Sequence, residues 1–361
     1  MGTLTEPHEG DPRTVLAYRI VEWGHPPELV EIEAPRPGPG EVVVRVAGNG
    51  LCHSDLGMAA VPQAYGEALG WRVPFTLGHE VGGWVAEVGA DVTEVGVGDP
   101  VALVSASSCG RCPFCAAGHD NACTDNGAGR GYGRDGGLAE LVLVDSARAI
   151  VPLGALDPHL AGPLTDAGAT THHAVARVLP RLGDGSTAVV LGVGGLGAFA
   201  IQLLRALSPA RVIAVDPNPV RRAVAGSYGA TATVDGVDED TAHSLAAMTD
   251  GAGAEAVLDL VGTDATIAAG LASTRRLGAF ALVGAGGGTL RRPWWGALPP
   301  GAEVFTFQGG SIADVRAVVE LAERGDLRVD VEPFGLRDVA TAYERLSAGA
   351  LRGRAVVQPG R

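Results

Sequence analysis

A chain of 361 residues with 46% hydrophobic and 19% charged side chains can build two globular domains with separate cores, and it is too apolar to stay disordered. A formal net charge of -14 at pH 7 excludes the basic face that nucleic acid or an anionic membrane demands of a partner. Lysine is absent, so every basic side chain is Arg or His.

The first residues, Met1 to Arg13, are polar and lack the basic start and apolar core of a secretory signal. No apolar run approaches the roughly 20 residues that span a bilayer. The expected location is therefore cytoplasmic, where thiols stay reduced, and the five cysteines ask for metal or catalysis before disulfides. Up to about Pro152, short β segments (residues 41–46, 83–88 and 138–144) alternate with Gly and Pro turns, which predicts a mostly antiparallel, barrel-like domain. From about Leu160 apolar strands at 187–191, 211–215, 256–260 and 279–283 alternate with Ala/Leu-rich helices. That rhythm predicts βαβ units and a parallel sheet. The tail, residues 331–358, returns to β character with one helix at 339–346.

In the second region a strand ends in Gly192-Val193-Gly194-Gly195-Leu196-Gly197 and an Ala-rich helix follows. Gly192 suits a tight turn, Gly194 a close approach of backbone to pyrophosphate, and Gly197 tight packing of helix on strand. The helix N-terminus then offers free N–H groups to phosphate. The next strand ends in Asp216, at about the spacing where a carboxylate holds the adenosine ribose. A carboxylate there repels the extra phosphate of NADP, which favours NAD, while Arg221, five residues on, blunts that repulsion and weakens the preference.

Cys109, Cys112, Cys115 and Cys123 place four thiols in one short loop, the donor set of a closed, structural zinc site. An iron–sulfur cluster is the competing reading of the same thiols. The remaining cysteine, Cys52 in Gly50-Leu51-Cys52-His53-Ser54-Asp55, has His79 and Glu80 as its next candidate co-ligands. By spacing alone, ligation by Cys52 and His79 is balanced against a buried thiol and a core histidine.

These motifs, followed by Asp135-Gly136-Gly137 and then Pro163-Leu164-Thr165-Asp166-Ala167-Gly168, run in one order from about Val30 to Val357. In that order the chain resembles the zinc-containing alcohol dehydrogenases of the medium-chain dehydrogenase/reductase superfamily. The Asp166 form is similar to bacterial secondary-alcohol dehydrogenases. The resemblance implies a fold of α/β plus β class: a GroES-like β-barrel catalytic domain over residues 1–167, a Rossmann domain with a doubly wound parallel sheet over 168–309, and a return over 310–361 that completes the first. It implies two zinc ions per chain and NAD, a small-molecule alcohol or carbonyl substrate, no nucleic-acid or membrane partner, and a homodimer or homotetramer. The expected oligomer surface is residues 279–283 with 291–298. A polyol or aldehyde-directed dehydrogenase is the nearest rival, and a non-catalytic NAD-binding homologue a more distant one.

Carried over by the same resemblance, the catalytic zinc ligands are Cys52, His79 and Asp166. Glu80 is a nearby carboxylate able to reach the metal during ligand exchange, and Asp55 fixes the His79 tautomer. Ser54 is the proton relay, passing the alcohol proton toward the nicotinamide ribose. His53 and Arg352 are phosphate contacts, Thr170 lies near the nicotinamide, and Val261 and Val283 hold its carboxamide by their backbone. One departure stands out: Gly57 occupies a place where some relatives end the relay in a histidine, so the proton exit is left open. Leu56, Trp71 and Trp294 or Trp295 are expected pocket walls. Ser107, small where relatives are often aromatic, points to a larger substrate. Of His172 and His173, at least one is expected only to pack.

Overall fold

The computed structural model describes residues 14–125, 127–238, 240–290, 295–296 and 298–361. Contacts divide the chain into two units. The first comprises the chain up to Gly110, with Asp125–Thr165 and Val329–Arg361; the second comprises Arg111–Thr124 and Asp166–Arg328.

In the first unit the strand Val42–Gly50 is central. It pairs antiparallel with Glu80–Val88 and Leu141–Val144, and its end pairs with Arg354–Gln358. Alternating Val42, Val44 and Val46 meet Val81, Val85, Val101, Leu103, Val142 and Val144 in one buried core. A separate sheet places Thr14–Ile20 between Glu28–Glu33 and Phe75–Thr76. Its side chains Tyr18, Ile20 and Phe75 join Leu51, Leu77 and Leu138 in a second core, closed by Val339, Tyr343 and Leu346 of the helix Val339–Ser347. The central strand runs four residues past the expected 46, through Ala47-Gly48-Asn49-Gly50, which are poor β formers. Tertiary packing holds them extended: a Cβ on Gly48 would meet the His159 carbonyl oxygen at 2.6 Å, so only glycine lets that carbonyl approach.

The second unit is a six-stranded parallel sheet. Its order is Ala232–Asp235, Arg211–Asp216, Thr187–Leu191, Ala254–Asp259, Thr274–Leu282, Glu303–Phe305. Counted from Thr187–Leu191, the sequence reverses direction beside that strand, which is the doubly wound arrangement with a binding crevice at the reversal. Thr187–Leu191 is buried along its whole length, as a strand covered on both faces must be.

Two expectations change here. The return was expected at residue 310, but the helix Ile312–Glu323 stays with the second unit, where His172 and His173 of the helix Ala169–Val178 both bond Asp314. The strand expected to offer a free oligomer surface, 279–283, is interior: Ala279–Ala281 pair with Ala256–Leu258 on one side and with Glu303–Phe305 on the other. Of the accompanying residues, 291–294 and 297 lie outside the described residues. No helix among the described residues is long and apolar enough to cross a membrane.

Candidate active site and metal centres

The strand Thr187–Leu191 leads directly into a glycine turn whose three glycines have separate physical causes. Gly192 has φ of 91°, a left-handed conformation that a side chain resists, and a Cβ there would meet Val261 at 2.6 Å. A Cβ on Gly197 would sit 2.0 Å from the Gly192 carbonyl oxygen, so helix and turn pack only without one. Around Gly194, the N-cap of the helix Gly195–Leu207, a Cβ would meet nothing within 4 Å, which leaves open space at the helix N-terminus. Val193, Gly195 and Leu196 complete the turn, and the Val193 N–H donates to Asp216 at 2.8 Å. The Asn218 N–H donates to the other Asp216 oxygen at 2.8 Å, which fixes this buried carboxylate at its strand end. Arg221 lies 3.9 Å from Asp216, while Arg222 donates to the Asp216 carbonyl and to Asp235. On the neighbouring strand Asp259 accepts from the Val261 and Gly262 N–H groups, both at 2.9 Å, and its carbonyl accepts from Val283. One buried aspartate thereby shapes both backbone positions singled out for the carboxamide.

Cys109, Cys112, Cys115 and Cys123 converge, with sulfur atoms within 4.8 Å of one another. None of the four is in a disulfide. Cys112 and Cys123 sulfurs are 3.9 Å apart, far beyond a disulfide. A tetrahedral zinc with Zn–S bonds near 2.3 Å separates its sulfurs by about 3.8 Å, so the loop fits that ion. The Cys115 N–H points at the Cys112 sulfur at 3.4 Å, which stabilises a thiolate there.

Cys52, His79, Glu80 and Asp166 also converge, each bringing a ligand atom within 4.8 Å of the others. Asp166 stands on the π-helical turn Leu164–Gly168, in which the division between the units falls. Leu51 (0% exposed) and Leu77 (1%) anchor Cys52 and His79 to the same core, which brings a residue at 52 beside one at 79. The Leu51 N–H donates to the Ala355 carbonyl, so the C-terminal return braces the ligand segment.

Asp55 is the organiser. One oxygen accepts from the Cys52 N–H at 2.9 Å and the other lies 3.1 Å from His79 Nδ1, which turns Nε2 toward the cluster. Glu80, fully buried, is paired with Arg354. A Cβ on Gly50 would fall 1.9 Å from a Glu80 oxygen, so the glycine before Leu51-Cys52 is the cradle for that carboxylate. A thiolate, an imidazole nitrogen and carboxylates in one cluster suit zinc. The burial of His79 and Glu80 beside charged partners suits it too, because a cation compensates groups removed from water. Thr170 donates to Asp166 at 3.2 Å, from one helical turn on.

Ser54 Oγ lies 2.9 Å from the Tyr132 hydroxyl, which lies 3.2 Å from His79 Nε2. Tyr132 was not legible in the sequence, because nothing in Gly131-Tyr132-Gly133 marks a side chain aimed at a site. Arg354 was missed in favour of Arg352, whose N–H donates to Glu332 and whose side chain is exposed. The alternation of the strand Arg354–Gln358 was the available signal for Arg354. His53 is exposed on the first turn of the helix His53–Ala59. Trp71 is buried, with its ring 6.4 Å from Tyr132, and Leu56 is half-buried against the core. Ser107 donates to the Ala128 carbonyl, Trp295 is exposed, and Trp294 lies outside the described residues. His172 and His173 bond Asp314 rather than forming part of either cluster.

Two family models match the chain: the alcohol dehydrogenase GroES-like domain over residues 38–155, and the zinc-binding dehydrogenase over residues 195–324. The chain is similar to an NAD-dependent alcohol dehydrogenase of Sulfurisphaera tokodaii, at 33% identity over 95% of this chain and 99% of the relative. It is also similar to a D-arabinose 1-dehydrogenase (NADP(+)) of Saccharolobus solfataricus, at 31% identity over 95% of this chain and 97% of that one. Among solved structures, the alcohol dehydrogenase of the archaeon Aeropyrum pernix superposes with a TM-score of 0.88 at 34% identity, covering 95% of this chain and all of that one.

Proposed function

The chain belongs to the zinc-binding, GroES-like alcohol dehydrogenases, and from that premise we propose that it oxidises a secondary alcohol to a ketone, reversibly, with NAD as hydride acceptor. The observation that carries this reading is the convergence of Cys52, His79, Glu80 and Asp166 in one cluster. The glycine turn with Asp216 supports the choice of NAD.

Zinc bound to this cluster supplies a Lewis acid that lowers the pKa of an alcohol and carries developing negative charge, an effect worth several kcal/mol. Cys52, His79 and Asp166 would hold it. An oxygen in place of a third soft ligand makes a harder donor set, which favours weaker retention of the metal. Glu80, tethered by Arg354, stands ready as an exchangeable fourth donor. Asp55 keeps His79 in the tautomer that presents Nε2. Ser54 accepts the proton as the alcohol ionises. In the second unit the N-terminus of the helix Gly195–Leu207 receives pyrophosphate and Asp216 the ribose hydroxyls. His53 and Arg352 are assigned to phosphate, Thr170 to the nicotinamide side, and the Val261 and Val283 backbone to the carboxamide. Thr170 has a second duty, holding the Asp166 carboxylate.

A polyol or sugar is the second substrate reading. It is favoured by the similarity to the D-arabinose dehydrogenase and by the two hydroxyls, Ser54 and Tyr132, that face each other beside His79. We assign the chain to a homodimer or homotetramer, with the edge strand Glu303–Phe305 as the surface, and to the reducing cytoplasm, where the four loop cysteines stay out of disulfides. The deciding experiment measures initial rates with NAD and NADP across primary, secondary, cyclic and polyhydroxylated alcohols, with chelator-stripped protein as control. Fastest turnover of secondary alcohols with NAD, lost on chelation, is expected. Preference for polyols selects the second reading, and no turnover of any alcohol by zinc-loaded protein rejects both.

A further inference from the structure

Gly57 leaves the relay of this chain without a side chain at the position where some relatives place a histidine, and a Cβ there would meet nothing within 4 Å. A proton accepted by Ser54 needs another way out. Resting on the alcohol-oxidation reading above, we propose that Tyr132 is the second member of the relay, taking the proton from Ser54 and giving it to solvent.

The loop is built to deliver that phenol. Gly131 and Gly133 have φ of 71° and 83°. A Cβ on Gly131 would come within 2.9 Å of the Gly78 backbone, and one on Gly133 within 2.4 Å of Trp71. Two glycines thus press the intervening tyrosine against the segment that carries His79. The ring sits 4.7 Å from the His79 ring and 6.4 Å from Trp71, which fixes its plane. Its hydroxyl lies 2.9 Å from Ser54 Oγ and 3.2 Å from His79 Nε2. Asp55 occupies the other ring nitrogen, so Nε2 is the one turned toward the ligand cluster. The Tyr132 hydroxyl therefore stands between Ser54 Oγ and the side of His79 that faces the cluster. Tyr132, like Ser54, is half-buried rather than sealed from solvent.

The step balances without charging either hydroxyl. The substrate O–H bond breaks as Ser54 Oγ takes the proton, the Ser54 proton passes to the Tyr132 oxygen, and the Tyr132 proton goes to a water molecule. The substrate carbon gives its hydride, with both electrons, to the oxidised nicotinamide. The sum is alcohol plus oxidised cofactor to carbonyl, reduced cofactor and one released proton.

The test compares wild type with Tyr132→Phe, Ser54→Ala and the double variant. The main readout is proton release, followed with an indicator dye, when NAD- and zinc-loaded protein is mixed with trifluoroethanol, an alcohol whose electron-withdrawing CF3 group opposes hydride loss. Zinc content and NAD affinity are measured alongside, and kcat where a substrate is in hand. Tyr132→Phe keeps the ring and its packing, so zinc and NAD are expected to stay bound while proton release slows about tenfold or more. The double variant is expected to be no slower than Ser54→Ala, because both residues serve one path. Unchanged release, losses that multiply in the double variant, or loss of zinc from Tyr132→Phe each overturn the relay. The release measurement needs no turnover. A wild type that oxidises no alcohol therefore defeats the substrate reading while the dye still decides the relay, and a wild type that oxidises alcohols yet releases no proton with trifluoroethanol overturns the relay alone.

Discussion

At the scale of single residues, the site is built from carboxylates held by backbone donors and from two hydroxyls that bond each other. Ser54→Ala is expected to cut kcat by about 100-fold or more, the usual range for a lost proton-transfer group, with zinc content and NAD affinity unchanged. Steady-state kinetics beside metal analysis checks this, and an unaltered kcat removes Ser54 from the mechanism. Asp216 binds the Val193 and Asn218 N–H groups. Asp216→Asn keeps one acceptor and removes the charge that repels a ribose phosphate, with Arg221 and Arg222 close by. The ratio of kcat/KM for NAD over NADP is expected to fall about tenfold or more, equivalent to ~1.4 kcal/mol of discrimination. Gly50→Ala is expected to displace Glu80, since the added carbon would overlap its carboxylate. Faster zinc loss to a chelator is the measurement. Asp216 and the four loop cysteines were legible because each sits inside a motif of fixed spacing, whereas Ser54 and Cys52 were carried over from the family resemblance. Tyr132 was not legible, because its role depends on where a glycine-flanked loop folds back.

At the scale of elements, the glycine turn is the most constrained segment. Gly197→Ala places a carbon 2.0 Å from the Gly192 carbonyl oxygen, and the helix Gly195–Leu207 must move away from the strand it follows. NAD affinity, read by fluorescence titration, is expected to fall by at least tenfold, and wild-type affinity counts against the packing role. The helices Ala169–Val178 and Ile312–Glu323 are joined by Asp314, which accepts from His172 at 2.6 Å, His173 at 2.9 Å and the Ser311 hydroxyl at 2.6 Å. Burial pushes this carboxyl up, but the bonds from His172, His173 and Ser311 outweigh it and hold it well below the usual carboxylate range. A depressed carboxyl contributes stability that is complete above its unfolded value, near 4, and is lost as pH falls below it. Melting temperature measured from pH 6 to pH 3 is expected to fall more steeply for wild type than for Asp314→Asn. Parallel curves exclude the clasp. The sequence reading expected mere packing from at least one histidine here, because the acceptor lies on a helix 141 and 142 residues away in the chain.

At the scale of the whole molecule, the first unit is closed by chain from both ends of the sequence. Arg354–Gln358 pairs with the end of Val42–Gly50, Arg354 holds Glu80, and the helix Val339–Ser347 covers the core beneath Cys52 and His79. Truncation before residue 329 would leave that core open and Glu80 buried without its partner, which costs several kcal/mol. The four-cysteine loop is a second device of this scale. Cys112→Ser is expected to reduce zinc from about two ions per chain to about one and to lower the melting temperature by ~5–10 °C, as for a loss of about 3 kcal/mol. Unchanged zinc content and melting temperature would remove the loop from the structural metal site.

By itself the sequence determined what is written locally. The strand Thr187–Leu191 was placed to the residue, and the glycine turn, Asp216, the four-cysteine loop and the helix at 339 all fell where their own spacing put them, because turn chemistry and strand period act over a few neighbours. Resemblance then supplied the long-range partners that spacing could not join. Only the tertiary structure decided the rest: that Gly50 makes room for Glu80, that Arg354 rather than Arg352 reaches it, that residues 279–281 are interior, that Asp314 gathers two histidines, and that Tyr132 stands between Ser54 and His79. Each of these is a contact between segments far apart in the chain. Such contacts are set by how the cores and sheets close, and no local pattern of residue types encodes that closure.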